Sequence, residues 1–179
     1  NFTIPFNSEK VHGISTEKAI KDGIGLTETL LKFEEDIKKS KYIIGHNINF
    51  DLKILGAEHY RKNLNSDLEN KISIDTGIIS KSYCNLKGGL GGGLKMPKLI
   101  EMYEILFDNK FTDAHDASYD VNATAKCFFE LVKKGEYSNE DLESSDINYI
   151  GPKLKKSNFD QSNKEEKIIS NEKSNQVLI

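Results

Sequence analysis

Tyr42-Ile43-Ile44-Gly45-His46-Asn47-Ile48-Asn49-Phe50-Asp51 is the stretch on which the fold class turns. Its first three residues are apolar, two of them β-branched, and Gly45 closes them, the pattern of a short buried strand. Asn47 or Asn49 can cap a following helix, with Phe50, Ile54 and Ala57 expected to face inward. Upstream, Leu26, Leu30, Phe33 and Ile37 recur on one helical face, which predicts an amphipathic helix to about Lys39. Ser15 or Thr16, with Glu17 and Glu28 just downstream, mark short helices with acidic first turns. Ile72-Ser73-Ile74 reads as a second strand, followed by a helix from Thr76 to about Tyr83. Pro97 suits a helix first turn, and Leu99, Met102, Tyr103 and Leu106 would face in behind it. The last helix is expected from about Ala117 to Lys134, with Val121, Ala125, Phe128 and Val132 on its stripe and Gly135 as its stop. Strands alternating with helices predict an α/β layered domain.

Composition limits what such a domain can do. The 179 residues carry a net charge of −3, and the isoelectric point near 5.9 argues against gripping nucleic acid through a broad basic surface. It leaves room for an enzyme that meets nucleic acid at one acidic, metal-loaded cleft. Cys84 and Cys127 cannot build a disulfide framework or a four-ligand zinc site, which points to a reducing, cytoplasmic setting. No apolar run approaches the roughly 20 residues of a membrane helix.

The composition changes near residue 135. From Glu136 to Ile179, 15 of 44 residues are charged and 13 are Ser or Asn. Between Lys155 and Gln176 only Phe159, Ile168 and Ile169 are apolar, too few to offset the entropy of ordering. The expected organisation is a domain over 1–135 and a polar, largely disordered tail or linker over 136–179. The chain opens on Asn1-Phe2-Thr3-Ile4-Pro5, which reads as mid-strand without an initiating Met, so the native start is expected upstream.

Two clusters carry potential chemistry. In Gly45-His46-Asn47-Ile48-Asn49-Phe50-Asp51 a strand ends and an Asp falls in the first turn of a helix. In Ala114-His115-Asp116-Ala117-Ser118-Tyr119-Asp120 a His stands before a helix and an Asp one turn inside it. Carboxylates from separate elements, converging beside a His, are what divalent-metal hydrolysis requires. Hard cations take a few oxygen ligands and keep their waters, paired ions stabilise an in-line phosphoryl displacement, and imidazole accepts a proton near neutral pH. The plainer reading is that Asp51 and Asp116 only answer the helix dipole. Asp120 resists that reading, because its neighbours Ala117, Val121, Ala123 and Thr124 are small or apolar and an unpaired carboxylate among them is costly.

Lesser signals have modest readings. Lys87-Gly88-Gly89-Leu90-Gly91-Gly92-Gly93 is a connector rather than a phosphate loop, since no Gly-Lys-Ser/Thr follows and no strand leads into it. Asp75, after Ile74, suits a helix cap, and Cys127 suits the core. Gln176-Val177-Leu178-Ile179 faintly resembles short clamp-binding peptides.

His46-Asn47-x-x-Phe50-Asp51 and His115-Asp116-Ala117-x-x-Asp120-Val121-x-Ala123-Thr124 resemble the second and third motifs of DnaQ-like 3′–5′ exonucleases. They are closest to the DEDDh subgroup, typified by the proofreading epsilon subunit of bacterial DNA polymerase III. Val11-His12-Gly13-Ile14 is similar to the His-Gly-Ile segment after that family's third strand. The resemblance covers about residues 1 to 135, in order. It implies an RNase H-like fold, two Mg²⁺ or Mn²⁺ ions, and removal of nucleotides from a 3′ end. Carried over by position, Asp51 and Asp120 become metal ligands and His115 the general base; His12, His46, Asn47 and Phe50 line the substrate cleft. The implied partners are a single-stranded DNA 3′ end and a polymerase, either the polymerase III alpha subunit or a fused polymerase domain.

One motif departs from the family. Its Asp-x-Glu on the first strand has no counterpart ahead of His12, and Asp67-Leu68-Glu69 and Asp141-Leu142-Glu143 lie downstream in polar stretches. The expectation is an α/β, RNase H-like fold lacking its first strands, with an unpaired sheet edge and an inactive fragment. RNA or oligonucleotide degradation in the same superfamily, and a non-catalytic binding module, are the alternative functions.

Overall fold

A computed structural model describes residues 2–88, 90–111, 117–137 and 177–178. His115 and Asp116, and the tail segment Lys155 to Gln176, lie outside the described residues. At the centre stands β1 (Tyr42–Gly45), paired in parallel with β2 (Ile72–Asp75) from Tyr42↔Ile72 to Gly45↔Asp75. A two-residue strand, β3 (Val177–Leu178), pairs in parallel along the other edge through Tyr42 and Ile43, giving the order β2-β1-β3. The edge expected to be unpaired is therefore covered over part of its length, by two residues of the short C-terminal motif.

Parallel strands sit between helical layers and bury both faces. Because successive side chains alternate, Ile43 joins Ile37, Ile48, Leu52 and Leu68 on one side of the sheet. Tyr42 and Ile44 join Ile74 and Phe128 on the other. The first layer comes from α3 (Leu26–Lys39) and α4 (Ile48–Arg61). In the opposite layer α7 (Leu99–Phe107) packs on α8 (Ala117–Lys133) through Met102, Leu106, Cys127 and Leu131. Ahead of these lie α1 (Phe6–His12) and α2 (Thr16–Asp22), which bury no residue. The expected mid-strand at the start is thus a correction: residues 2–5 form no strand, and Pro5, which fixes φ, precedes α1.

Local signals place most boundaries. Ser15 Oγ accepts the Lys18 N–H and caps α2. Gly135, at φ 76°, ends α8 and is followed by a Glu136 N–H donated to Leu131 O at 3.0 Å. The helix expected from Thr76 breaks at Ser80 into α5 (Thr76–Ile79) and α6 (Lys81–Cys84). The inward faces differ most. On α4 the buried residues are Ile48, Leu52, Gly56 and His59, whereas Phe50 and Ile54 are exposed. On α8, Ala123, Thr124, Cys127, Phe128 and Leu131 are buried and Val121 is half-exposed. Each helix is rotated from the anticipated stripe, so small and polar residues share the buried face.

A buried polar node fixes the segment before β2. Glu34 takes the Asp67 N–H at 2.6 Å and the Ser66 hydroxyl at 2.9 Å. His59, fully buried beneath it, donates Nδ1–H to Leu55 O at 2.8 Å. No described helix is long and apolar enough to cross a membrane.

Candidate active site

The parallel strands β1 and β2 end side by side, and their C-terminal ends carry the polar groups. Asp75 is the last residue of β2 and is almost fully buried. Its Oδ1 accepts the Gly77 N–H at 2.9 Å, capping α5, and the Asn47 N–H at 3.0 Å. That second bond holds Asn47 in the left-handed region (φ 59°), which an Asn tolerates better than most residues. Asn47 thus starts α4 without a side-chain cap, by backbone shape and by its anchored N–H.

Close approach favours glycine at the end of β1. A Cβ on Gly45 would stand 2.9 Å from Ile48 Cγ1 and 3.0 Å from Ile48 Cβ, a branched side chain fixed in the first turn of α4. A Cβ on Gly77 would stand 2.9 Å from Met96 Cγ, on a flexible and partly exposed side chain that can move aside.

His46 ties the same strand ends to the start of α7. Its Nδ1 lies 3.0 Å from Thr76 Oγ1 and its Nε2 lies 3.0 Å from Pro97 O. A carbonyl can only accept, so Nε2 donates to Pro97 O. The Thr76 hydroxyl lies within bonding distance of both His46 Nδ1, at 3.0 Å, and Gly45 O, at 3.3 Å. Burial pushes the His46 pKa below its ordinary value, against the upward pull of the Pro97 carbonyl and the Asp75 charge, and so favours the neutral ring.

From this frame Asp51, in the first turn of α4, reaches a cavity of about 500 Å³. Asp120, in the first turn of α8, lines the same cavity. Ile44 and Gly45 of β1 and the following His46 form part of its wall, and Leu52 and Val121 supply apolar surface. Burial raises the Asp51 pKa, opposed by its own backbone N–H, and the neighbouring Asp75 charge raises it further. Two carboxylates lining one open cavity, one of them with its charge disfavoured by burial, are donors of the kind a hard cation that retains waters takes. Among the described residues no group of three or more His, Cys, Asp or Glu is gathered for a metal, so the donor set in view is this pair.

The sequence-derived residues divide as follows. Asp51, Asp120 and His46 meet at one cavity. Asn47 is not among the residues that line it, and its N–H is bound to Asp75. Phe50 is 62% exposed on the outer side of α4. His12 closes the end of α1, where its Nδ1 accepts the Ile14 N–H at 3.1 Å. His115 lies outside the described residues. What sequence reasoning assigned too little weight was Asp75: its capping role was legible, but its bond to Asn47 and its charge beside Asp51 join residues far apart in the chain.

The cavity lies at the carboxyl ends of parallel strands, where α/β sheets bind their ligands. A family model described as exonuclease, of the RNase T type, matches residues 1–128, and the chain belongs to this exonuclease family. No curated protein matches the chain.

Proposed function

We propose that the chain is the catalytic domain of a metal-dependent 3′–5′ exonuclease that releases nucleoside monophosphates from DNA 3′ ends in replicative proofreading. The observation that carries this reading is the meeting of Asp51 and Asp120, from different helices, on one cavity at the end of β1. Mg²⁺ or Mn²⁺ bound there would supply charge stabilisation to the phosphoryl oxygens and lower the pKa of a bound water. Asp51 and Asp120 are the residues that would hold the cations. His46 and Asp75 keep the strand ends and the start of α4 in register, so that Asp51 needs no rearrangement to act. His115, by its place in the motif, takes the proton of the attacking water. Single-stranded DNA is the substrate, and a polymerase, as the polymerase III alpha subunit or a fused domain, is the partner.

The test is hydrolysis by the purified protein, on 5′-labelled single-stranded DNA and on the matching RNA with Mg²⁺. Stepwise shortening from the 3′ end of DNA is expected, with chelator abolishing it. Asp51→Asn and Asp120→Asn should weaken metal dependence and turnover together, and His115→Ala should lower turnover by about 10²–10⁴-fold. Full activity in all three variants refutes the assignment, and preference for RNA transfers it to RNA degradation.

A further inference from the structure

Helix α8 has a second functional-looking face. Asp120, Val121 and Thr124 look onto the aspartate cavity. Tyr119, Asn122 and Lys126, spaced i, i+3, i+7, form a different stripe and line a separate recess of about 240 Å³. Tyr103 of α7 and the following Lys110 and Phe111 complete it. Tyr103 and Phe111 rings are in contact, with centroids 5.2 Å apart and planes tilted by 50°. Tyr119 is 51% exposed. Lys110 and Lys126 form no ion pair among the described residues. Asn122 commits its amide nitrogen to Ser118 O at 2.8 Å.

The combination is specific. In a chain of net charge −3, two lysines without carboxylate partners among the described residues, beside three aromatic rings, run against the prevailing charge. They suit a ligand with a flat ring and anions close to it. The recess is smaller than the roughly 300–1,000 Å³ of a drug-sized pocket, so it takes one ring rather than a dinucleotide. Single-stranded nucleic acid is bound by this pairing of stacking faces with cations.

We propose that the recess between α7 and α8 is an accessory subsite for single-stranded nucleic acid, in which one base stacks on Tyr119 and the flanking phosphates pair with Lys110 and Lys126. An α-helix is about 10–12 Å across with its side chains, a width that a few nucleotides of extended strand span. A strand whose 3′ end lies in the aspartate cavity would cross α8 and be held on its far side. The substrate class rests on the nuclease reading; binding at the recess does not need catalysis and is measured without it.

The experiment is fluorescence anisotropy of a labelled oligothymidylate with the full chain in EDTA, over a range of salt concentrations. Tyr119→Ala should weaken binding about 5- to 100-fold, the loss expected for one stacked base. In Lys110→Gln/Lys126→Gln the salt slope should fall by about 1.4, from two single-strand phosphate contacts at about 0.7 each. These side chains are on the surface, and circular dichroism checks that the variants fold. Wild-type affinity and slope in the double variant, or no binding by the wild type, overturns the proposal. If these variants bind normally while Asp120→Asn abolishes cleavage, the recess falls and the nuclease reading stands. Recess-dependent binding by a protein that never cleaves supports the subsite and overturns the nuclease reading.

Discussion

Asp75 Oδ1 receives the Asn47 N–H at 3.0 Å, a bond that crosses from the end of β2 to the start of α4. The same oxygen takes the Gly77 N–H at 2.9 Å. One buried carboxylate therefore sets where two helices begin. Its charge also adds to the burial that raises the Asp51 pKa.

Removing that acceptor should be costly. Asp75→Ala leaves two N–H groups without their partner, and about 1–3 kcal/mol of stability should be lost. Asp75→Asn retains a carbonyl oxygen in the same place and should lose less than half as much. Urea unfolding of both variants decides it; equal losses would show that the acceptor geometry is not what Asp75 contributes.

His46 predicts a pH dependence of stability. Its folded pKa lies below its ordinary value of 6.5, chiefly through burial. Between the two values the unfolded chain binds the extra proton, so stability rises with pH across that window and is lost as pH falls below about 6.5. His46→Gln keeps a donor and an acceptor but does not titrate, and should flatten this part of the curve. An unchanged acid limb in the Gln variant would assign the dependence to another group.

The cysteines should be inert in the folded protein. Cys84 and Cys127 are free and buried, and burial, with a smaller push from Cys84, raises the Cys127 thiol to about 12. At pH 8 a disulfide reagent should titrate no thiol rapidly and should find both after denaturation. Because the folded thiol holds its proton where the unfolded one, with its ordinary value near 9.0, has released it, stability should fall as pH rises from about 9 towards 12. Rapid native labelling of Cys127 would contradict its place on the buried face of α8.

The amino-terminal helices should contribute little. Phe6 and Ile20 are each 68% exposed, and neither α1 nor α2 buries a side chain. Phe6→Ala and Ile20→Ala should each fall within about 0.5 kcal/mol of the wild type. Leu52→Ala, at a core position 1% exposed, should cost about 2–5 kcal/mol. A loss above about 1 kcal/mol for Phe6→Ala would mean that another surface covers that ring in solution.

Local signals settled much of this molecule. The β-branched run at Tyr42–Gly45, the repeat through Leu30 and Ile37, the Ser15 cap and the Gly135 stop each depend on neighbours within a turn or two. The motif around Asp51 and the one around Asp120 were legible for the same reason, and they led to the exonuclease family. Orientation was not legible in this way. Phe50 and Ile54 look outward because Ile48, Leu52 and His59 turn the inner face of α4 toward β1 and Glu34. Asp51 and Asp120 share a cavity only because β1 lies between the layers that carry α4 and α8. Asp75 joins Asn47 across 28 residues because parallel pairing brings Gly45 level with Asp75. Periodicity and capping are interactions within one element, whereas these are contacts between elements, fixed only when the strands pair and the helices pack on them.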